Sequence, residues 1–228
     1  MRFIREFTIL LLCAFTIRTF STETRIKIAV LDTGISFTKM TNPYLCKEGH
    51  YDATGTGLKD NNGHGTNVSG LIAKNINPKT HCIVMVKFYN TDNNHSNRPI
   101  GITLSDAWKH LLKLNARYVN MSLSGHDYYK EEYLTIRTLL TMGAKVIVAA
   151  GNDNLDFNTY PCDIYPACYN FKENFYVVGA MDVMYSNYNG PVKYYEPGYN
   201  QRAWDVILSG SSQATANFTG LLVKGDNK

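Results

Sequence analysis

The sequence contains no pair of cysteines separated by two residues, and its six histidines are not spaced like the ligands of a metal ion. It therefore predicts no structural zinc site, and we expect neither a metal nor a cofactor. Internal repeats, low-complexity tracts and interdomain linkers are also missing. Of the 228 residues, 44% are hydrophobic and 18% are charged, which indicates one globular domain with a substantial core.

The amino terminus has the pattern of a signal peptide. Arg2 and Arg5 precede an apolar run at 7–17, and Thr19 and Ser21 offer small residues for a cleavage site. This apolar run is shorter than a helix that spans a membrane normally is. We therefore predict that residues 1–21 are a signal peptide, that the mature protein is secreted, and that it is not stably inserted in a membrane. An uncleaved anchor and a buried first strand are the alternatives.

Charge gives little reason to expect a polyanionic partner. Removal of the predicted leader takes away three arginines and one glutamate, so the formal net charge falls from +4 to +2. A balance so close to neutral favours neither nucleic acid nor anionic membranes. We expect the mature protein to be a monomer.

The four cysteines that follow the leader are Cys46, Cys82, Cys162 and Cys168. An even number in a secreted protein predicts two disulfides, for which three pairings are possible. Cys162 and Cys168 bracket a short proline-containing loop, which favours their pairing and leaves Cys46 with Cys82. Buried free thiols are the alternative.

Strand and helix patterns alternate along the rest of the chain. Apolar, β-branched runs predict strands at 26–31, 83–88, 117–121, 145–150, 175–180 and 204–208. Helical spacing of apolar residues predicts helices at 103–114 and 128–142, and Thr103 with Asp106 predicts a capping box on the first. This alternation predicts an α/β fold with a mainly parallel central sheet and helices on both faces.

Four polar residues stand at the ends of these elements. Asp32 ends the first predicted strand, and Asn152 comes just after the fourth. His64 and Ser212 each open a helix of small residues. Ligands of parallel sheets bind beyond the carboxyl ends of the strands, so all four side chains are expected at one edge. Each one alone is explained by a cap or a core histidine, but their joint placement is not.

These residues lie in segments that resemble the active-site motifs of the subtilisin-like serine peptidases, in the order Asp, His, Ser. The matching segments are Asp32-Thr33-Gly34, Asp60 to Gly70 and Gly210 to Gly220, and Val146 to Asn152 resembles the strand with the oxyanion-hole asparagine. The resemblance extends from about residue 27 to 223. It implies a three-layer subtilisin-like fold over 22–228 and a serine endopeptidase that needs no cofactor.

The resemblance also implies a role for each side chain. Ser212 would be the nucleophile, His64 the base that takes its proton, and Asp32 the group that orients and stabilises the imidazole. Asn152 and the backbone N–H of Ser212 would hold the oxyanion. A protein or peptide substrate would pair as an extended strand with a sheet edge formed by Ser122, Leu123, Ser124 and Gly125. A plain strand-to-loop exit is the alternative for that edge.

The sequence departs from the family's pattern in several places. Gln213 stands where the family favours methionine, Ala216 where it favours proline, and Asn67 where it has a second histidine. The segment 73–83 is too short for the common calcium loop, and neither the usual propeptide nor the closing helices are evident. These departures concern the folding route, stability and calcium dependence more than the three catalytic positions.

Two other functions compete with peptide hydrolysis. An inactive subtilisin-like fold that binds peptides or acts as a structural partner is favoured by the truncated ends and the missing propeptide, and it is disfavoured by the intact catalytic residues. An esterase would have a Gly-x-Ser-x-Gly motif, but Ala214 occupies the position of its last glycine.

Two finer predictions concern neighbouring residues. Adjacent positions at a helix start point about 100° apart, so only one of Ser211 and Ser212 can face His64, and the family pattern selects Ser212. Alignment through Tyr165-Pro166-Ala167 places Asp163 near the floor of the specificity pocket and predicts a basic residue before the scissile bond. Alignment through Tyr160-Pro161 moves Asp163 away.

Overall fold

The computed structural model describes residues 23–90, 98–169 and 171–226, so the predicted signal peptide lies outside the described residues. Its central sheet has seven strands, all paired in parallel, in the order β2-β3-β1-β4-β5-β6-β7. The strands are β1 (Ile26–Asp32), β2 (Tyr51–Asp52), β3 (His81–Lys87), β4 (Tyr118–Met121), β5 (Lys145–Ala149), β6 (Phe175–Ala180) and β7 (Tyr194–Glu196).

Four helices cover the two faces of this sheet: α1 (His64–Ala73), α2 (Ile100–Lys113), α3 (Lys130–Thr141) and α4 (Ser211–Gly225). Helices α2 and α3 contribute to one hydrophobic core, and α1 and α4 contribute to the other. Alternate residues of β1 enter the two cores, Leu31 the first and Val30 the second. The predicted three-layer α/β fold with a parallel sheet is thereby confirmed. Within the described residues, none of the helices is long and apolar enough to cross a membrane.

The first predicted helix begins three residues earlier than its apolar spacing indicated. Pro99 occupies the position before its first residue, which suits a proline because no N–H is required there. Thr103 lies inside the helix, where its hydroxyl donates to the carbonyl of Ile100 at 2.9 Å. Asp106 forms an ion pair with Arg98. The predicted capping box of Thr103 and Asp106 is therefore wrong.

The apolar run at 204–208 does not belong to the central sheet. Trp204 and Asp205 both have positive φ angles, 43° and 67°, and form the turn of a hairpin. Only β9 (Val206–Leu208) is a strand, and it pairs antiparallel with β8 (Gln201–Ala203). Three short strands, β2, β7 and β8, were not predicted because two or three residues are too few to show a periodic pattern.

Both predicted disulfides are present. Cys46 precedes β2 and is bonded to Cys82 on β3, with 4.9 Å between the Cα atoms. Cys162 and Cys168 are bonded across their own loop, with a Cα–Cα distance of 5.5 Å. The pairing favoured by the sequence is therefore confirmed.

Candidate active site

The carboxyl ends of three adjacent strands, β3, β1 and β4, border a cavity of about 440 Å³. Asp32 at the end of β1 and His64 at the start of α1 line it together. The four residues of the predicted substrate edge, Ser122, Leu123, Ser124 and Gly125, line it as well. The topology thus brings these predicted site residues to one edge of the sheet.

Asp32 and His64 form a close pair at the mouth of this cavity. Nδ1 of His64 lies 2.8 Å from Oδ1 of Asp32, which also accepts the N–H of Thr33 at 2.7 Å. Asp32 is only 2% exposed. Because a carboxylate oxygen can only accept, Nδ1 carries the hydrogen and leaves Nε2 as the basic nitrogen of the ring.

This pair requires a glycine directly after the histidine. A Cβ at Gly65 would overlap the carbonyl oxygen of Gly34 and would come within about 3 Å of the Asp32 carboxylate. Any larger residue would push the start of α1 away from the end of β1. The small residue after His64 therefore sets the distance between the imidazole and its carboxylate.

The pKa of His64 is raised above its ordinary value of 6.5. Burial acts in the opposite direction, because it disfavours the charged imidazolium. The negative charge of Asp32 and its hydrogen bond to the ring outweigh the burial, and the charge of Asp60 adds to them. The site is therefore built to stabilise a positive charge on His64.

Asp60 holds the turn that leads into His64. One of its oxygens accepts the hydroxyl of Thr33 at 3.0 Å and the N–H of Gly63 at 2.8 Å. The other accepts the N–H and the hydroxyl of Thr66 at 2.8 and 2.6 Å. Burial would raise the pKa of Asp60, but these hydrogen bonds outweigh it and lower the pKa. Asp60 thus ties the start of α1 to the end of β1 as a buried carboxylate.

Ser212 is held against the end of β4. Its hydroxyl donates to the carbonyl of Ser122 at 3.1 Å, and the hydroxyl of Ser122 donates to the carbonyl of Ser212 at 3.0 Å. Asn120 donates to the Ser122 hydroxyl at 2.9 Å and accepts the hydroxyl of Thr219 at 2.9 Å. Among the described residues, the Ser212 hydroxyl is bonded to Ser122 and not to His64.

Asn152 lies beside the start of α4. Its Oδ1 accepts the N–H of Ser211 at 2.9 Å, and its side chain is otherwise exposed. Since the N–H is a donor, the oxygen must face Ser211, and the amide nitrogen then lies on the other side, where none of the described residues accepts a hydrogen bond from it. The side chain of Ser211 is fully buried, whereas Ser212 is 9% exposed. Of the two serines, Ser212 is thus the more accessible.

The family model described as the subtilase family matches residues 23–227. This chain belongs to the subtilase family. Subtilisin-like protease 1 of Pseudogymnoascus destructans is 29% identical over 214 residues, which cover 85% of this chain and 50% of that protein. The subtilase-type proteinase psp3 of Schizosaccharomyces pombe is 31% identical over 210 residues, 84% of this chain and 45% of that one. This subtilase chain therefore spans about half the length of these relatives.

The fold agrees with solved subtilase structures. A cold-adapted subtilisin-like serine proteinase superimposes with a TM-score of 0.68 at 22% identity, over 89% of this chain and 76% of that one. At this identity the likeness concerns the fold alone.

Two departures from the subtilase pattern contact each other. Gln213 donates from Nε2 to Oδ1 of Asn67 at 3.2 Å, and both side chains are buried. The amide nitrogen of Asn67 donates in turn to the carbonyls of Gln201 and Val206, each at 2.9 Å. The amide pair thus joins α1, α4 and the β8–β9 hairpin through three hydrogen bonds.

The predicted pocket carboxylate, Asp163, is exposed and does not line the cavity beside His64. Tyr165 lines it instead, and its N–H and carbonyl bond to the backbone of Gly125 at 2.7 and 2.9 Å. Gly125 therefore borders the cavity with its main chain already paired.

Two charged residues near the site were not singled out from the sequence. Lys87 is 1% exposed, and its ammonium donates to the carbonyls of Gly57 and Lys59 at 3.0 and 2.8 Å, which fixes the segment before Asp60. Glu132 on α3 is 4% exposed and lines the cavity. The burial of Glu132 could have been predicted from the sequence, because it stands four residues before Ile136 and therefore on the buried face of its helix.

Proposed function

We propose that this subtilase is an exported serine endopeptidase that uses Asp32, His64 and Ser212. The observation that carries the proposal is the bonded Asp32–His64 pair in a cavity that also contains Ser122, the hydrogen-bond partner of Ser212. Export is supported by the leader pattern at 1–21 and by the two disulfides, which persist in oxidising compartments.

In the proposed reaction, the Ser212 hydroxyl turns from the Ser122 carbonyl to Nε2 of His64, which takes its proton as the oxygen attacks the substrate carbonyl. The oxyanion that forms is held by the Asn152 amide nitrogen and the backbone N–H of Ser212 at the start of α4. Asp32 stabilises the imidazolium.

Collapse of the tetrahedral intermediate transfers the proton from His64 to the leaving amine and leaves an acyl group on Ser212. Water then repeats the sequence with His64 as the base, which releases the carboxylic acid and the free serine.

The substrate would lie extended along the main chain of Ser122–Ser124. Backbone hydrogen bonds along such an edge are available to any peptide, so they supply affinity without selecting a sequence. Selection must come from side chains that enter the cavity beside this edge.

The experiment that tests the proposal is reaction of the folded protein with a fluorophosphonate probe, followed by peptide mapping. We expect the label on Ser212, its loss in Ser212→Ala together with peptide hydrolysis, and retention of most of both in Ser211→Ala. Ser211 is a matched control because it is adjacent, chemically identical and fully buried.

A folded wild-type protein that neither reacts with the probe nor cleaves a mixed peptide library would instead be the inactive, peptide-binding form. A label on Ser211 would show that the nucleophile is Ser211, one residue before the predicted position.

A further inference from the structure

A second carboxyl group lies in the cavity, apart from the Asp32–His64 pair. Glu132 belongs to the first turn of α3 and is 4% exposed. Its Oε1 is completely buried and has no hydrogen-bond partner among the described residues. A buried carboxyl oxygen without a donor is costly, so native proteins rarely retain one without a function.

The cavity around Glu132 combines apolar walls with negative charge. Ile100, Leu104 and Leu123 contribute aliphatic surface. Asp127 adds another carboxylate, and the described lining residues include no lysine or arginine. Such a cavity suits a side chain with a long aliphatic stem and a cationic end, which buries its methylene groups and brings donors to the carboxylate.

We propose that Glu132 is a specificity-determining residue that accepts hydrogen bonds from the cationic end of a substrate lysine or arginine. This inference rests on the proposed peptidase activity, and it assigns to Glu132 the basic preference that the sequence had suggested for Asp163. The substrate edge at Ser122–Ser124 lines the same cavity, so a side chain of a peptide bound there has access to Glu132.

Protonation explains how the cavity tolerates this group. Burial raises the pKa of Glu132 to about 7, so the carboxyl is partly neutral near neutrality without a bound cation. A hydrogen bond with the neighbouring Tyr169 acts in the opposite direction, and burial outweighs it. Well above pH 7 the group is ionised and can receive a lysine or arginine at full charge.

The test begins with cleavage profiling of the wild-type protein on a mixed peptide library at about pH 8.5. We expect a preference for lysine or arginine at one substrate position. Two peptides that differ only there, one with lysine and one with uncharged norleucine, then give the ratio of kcat/KM values. A charge-assisted hydrogen bond predicts a ratio of about 10 or more in favour of lysine.

Glu132→Gln keeps the shape of the side chain and removes its charge, so we expect the ratio to fall to near 1. Glu131→Gln is the matched control, because Glu131 is the preceding residue on the same helix but is exposed. It removes the same formal charge and should leave the ratio unchanged. Fluorophosphonate labelling of each variant shows that the rest of the site is intact.

An active wild-type protein without a basic preference at any position would overturn the inference, and this result does not depend on the folding of a variant. A Glu132→Gln protein that is labelled normally and keeps the wild-type ratio would overturn it as well. Failure of the proposed function is recognised separately, because the folded wild-type protein would then neither react with the probe nor cleave any peptide.

Discussion

The side chain of Asn152 is fixed at one end and available at the other, as an oxyanion donor must be. Asn152→Ala removes this donor without disturbing a core, because the residue is exposed. We expect kcat to fall by about 10²–10³, the size known for the loss of one oxyanion donor in a subtilisin. Steady-state kinetics on a peptide substrate measure the effect. Unchanged turnover in a folded variant would remove Asn152 from the mechanism.

In the proposed mechanism, the protonation of His64 should set the acid limit of activity. Only the neutral imidazole can accept the serine proton, and the pKa of His64 is raised above 6.5 by Asp32 and Asp60. We therefore expect kcat/KM to fall as the pH drops through a midpoint above 6.5. A pH profile of kcat/KM reports this value for the free enzyme.

Asp60→Asn tests the cause of that shift. The substitution removes a buried negative charge that favours the imidazolium, so the midpoint of the pH profile should move to lower pH. The substrate should be a peptide without a basic residue, so that ionisation of Glu132 does not enter the profile. A midpoint that stays in place or moves upward would show that Asp60 acts on His64 through geometry alone.

Single residues at the site could be predicted from the sequence where they stand at the end of a strand or at the start of a helix. Asp32, His64 and Ser212 each stand at the end of a strand or the start of a helix, which the sequence shows directly. Asp60 and Glu132 act through contacts with residues distant in sequence, such as Thr33 and the cavity wall. The local pattern of Asp60 was that of a turn, and the helical spacing of Glu132 indicated burial but not its place in the cavity, so these contacts could not be predicted from the sequence.

At the level of elements, the amide pair of Asn67 and Gln213 joins two helices and a hairpin. Asn67→Ala would remove a side-chain donor from two backbone carbonyls and the acceptor of the Gln213 amide, whereas Gln213→Ala would remove only the donor to one oxygen of Asn67. We expect Asn67→Ala to lower the free energy of unfolding by about 1–3 kcal/mol, and Gln213→Ala to lower it less. Urea unfolding of both single variants and the double variant measures these losses.

The double variant provides the control. Because the two side chains share a hydrogen bond, the loss in the double variant should be smaller than the sum of the single losses. Strict additivity, or a larger effect of Gln213→Ala, would contradict the central role of Asn67.

The elements that the sequence predicted well are those with a full period of buried residues. Strands β1 and β6 have apolar side chains in the cores on both faces of the sheet, and their predicted ranges agree with the structure within one residue. The edge strands β2 and β7 have only two and three residues and depend on main-chain pairing. The run at 204–208 was predicted to be a buried strand because its turn residues, Trp204 and Asp205, are neither glycine nor proline.

At the scale of the whole molecule, strand order decides where the site lies. β1 is flanked by β3 on one side and by β4 on the other, so the chain changes direction across the sheet at this strand. A crevice opens at such a switch point beyond the carboxyl ends of the strands, and the cavity with Asp32 and His64 lies there. The alternation of strands and helices predicts a parallel sheet but not the order of its strands. The depth of this cavity therefore could not be predicted from the sequence alone.

The two disulfides close loops of very different length, and they should therefore stabilise the molecule unequally. Cys46 and Cys82 are 36 residues apart, and Cys162 and Cys168 are 6 apart. If a disulfide acts by restricting the unfolded chain, the longer loop contributes about 4 kcal/mol and the shorter about 2 kcal/mol. Replacing both cysteines of a pair by alanine should thus lower the free energy of unfolding more for Cys46 and Cys82.

Urea unfolding of the two double variants under non-reducing conditions, which keep the remaining disulfide intact, measures the difference, with the Ser212→Ala background used to prevent self-cleavage. Cys82 is fully buried on β3, whereas Cys162 and Cys168 are partly exposed, so loss of packing adds to the effect of the first pair. An equal or larger loss for the Cys162–Cys168 pair would mean that this short loop is anchored in the native state by its bond, and that loop length does not govern the stability of this fold.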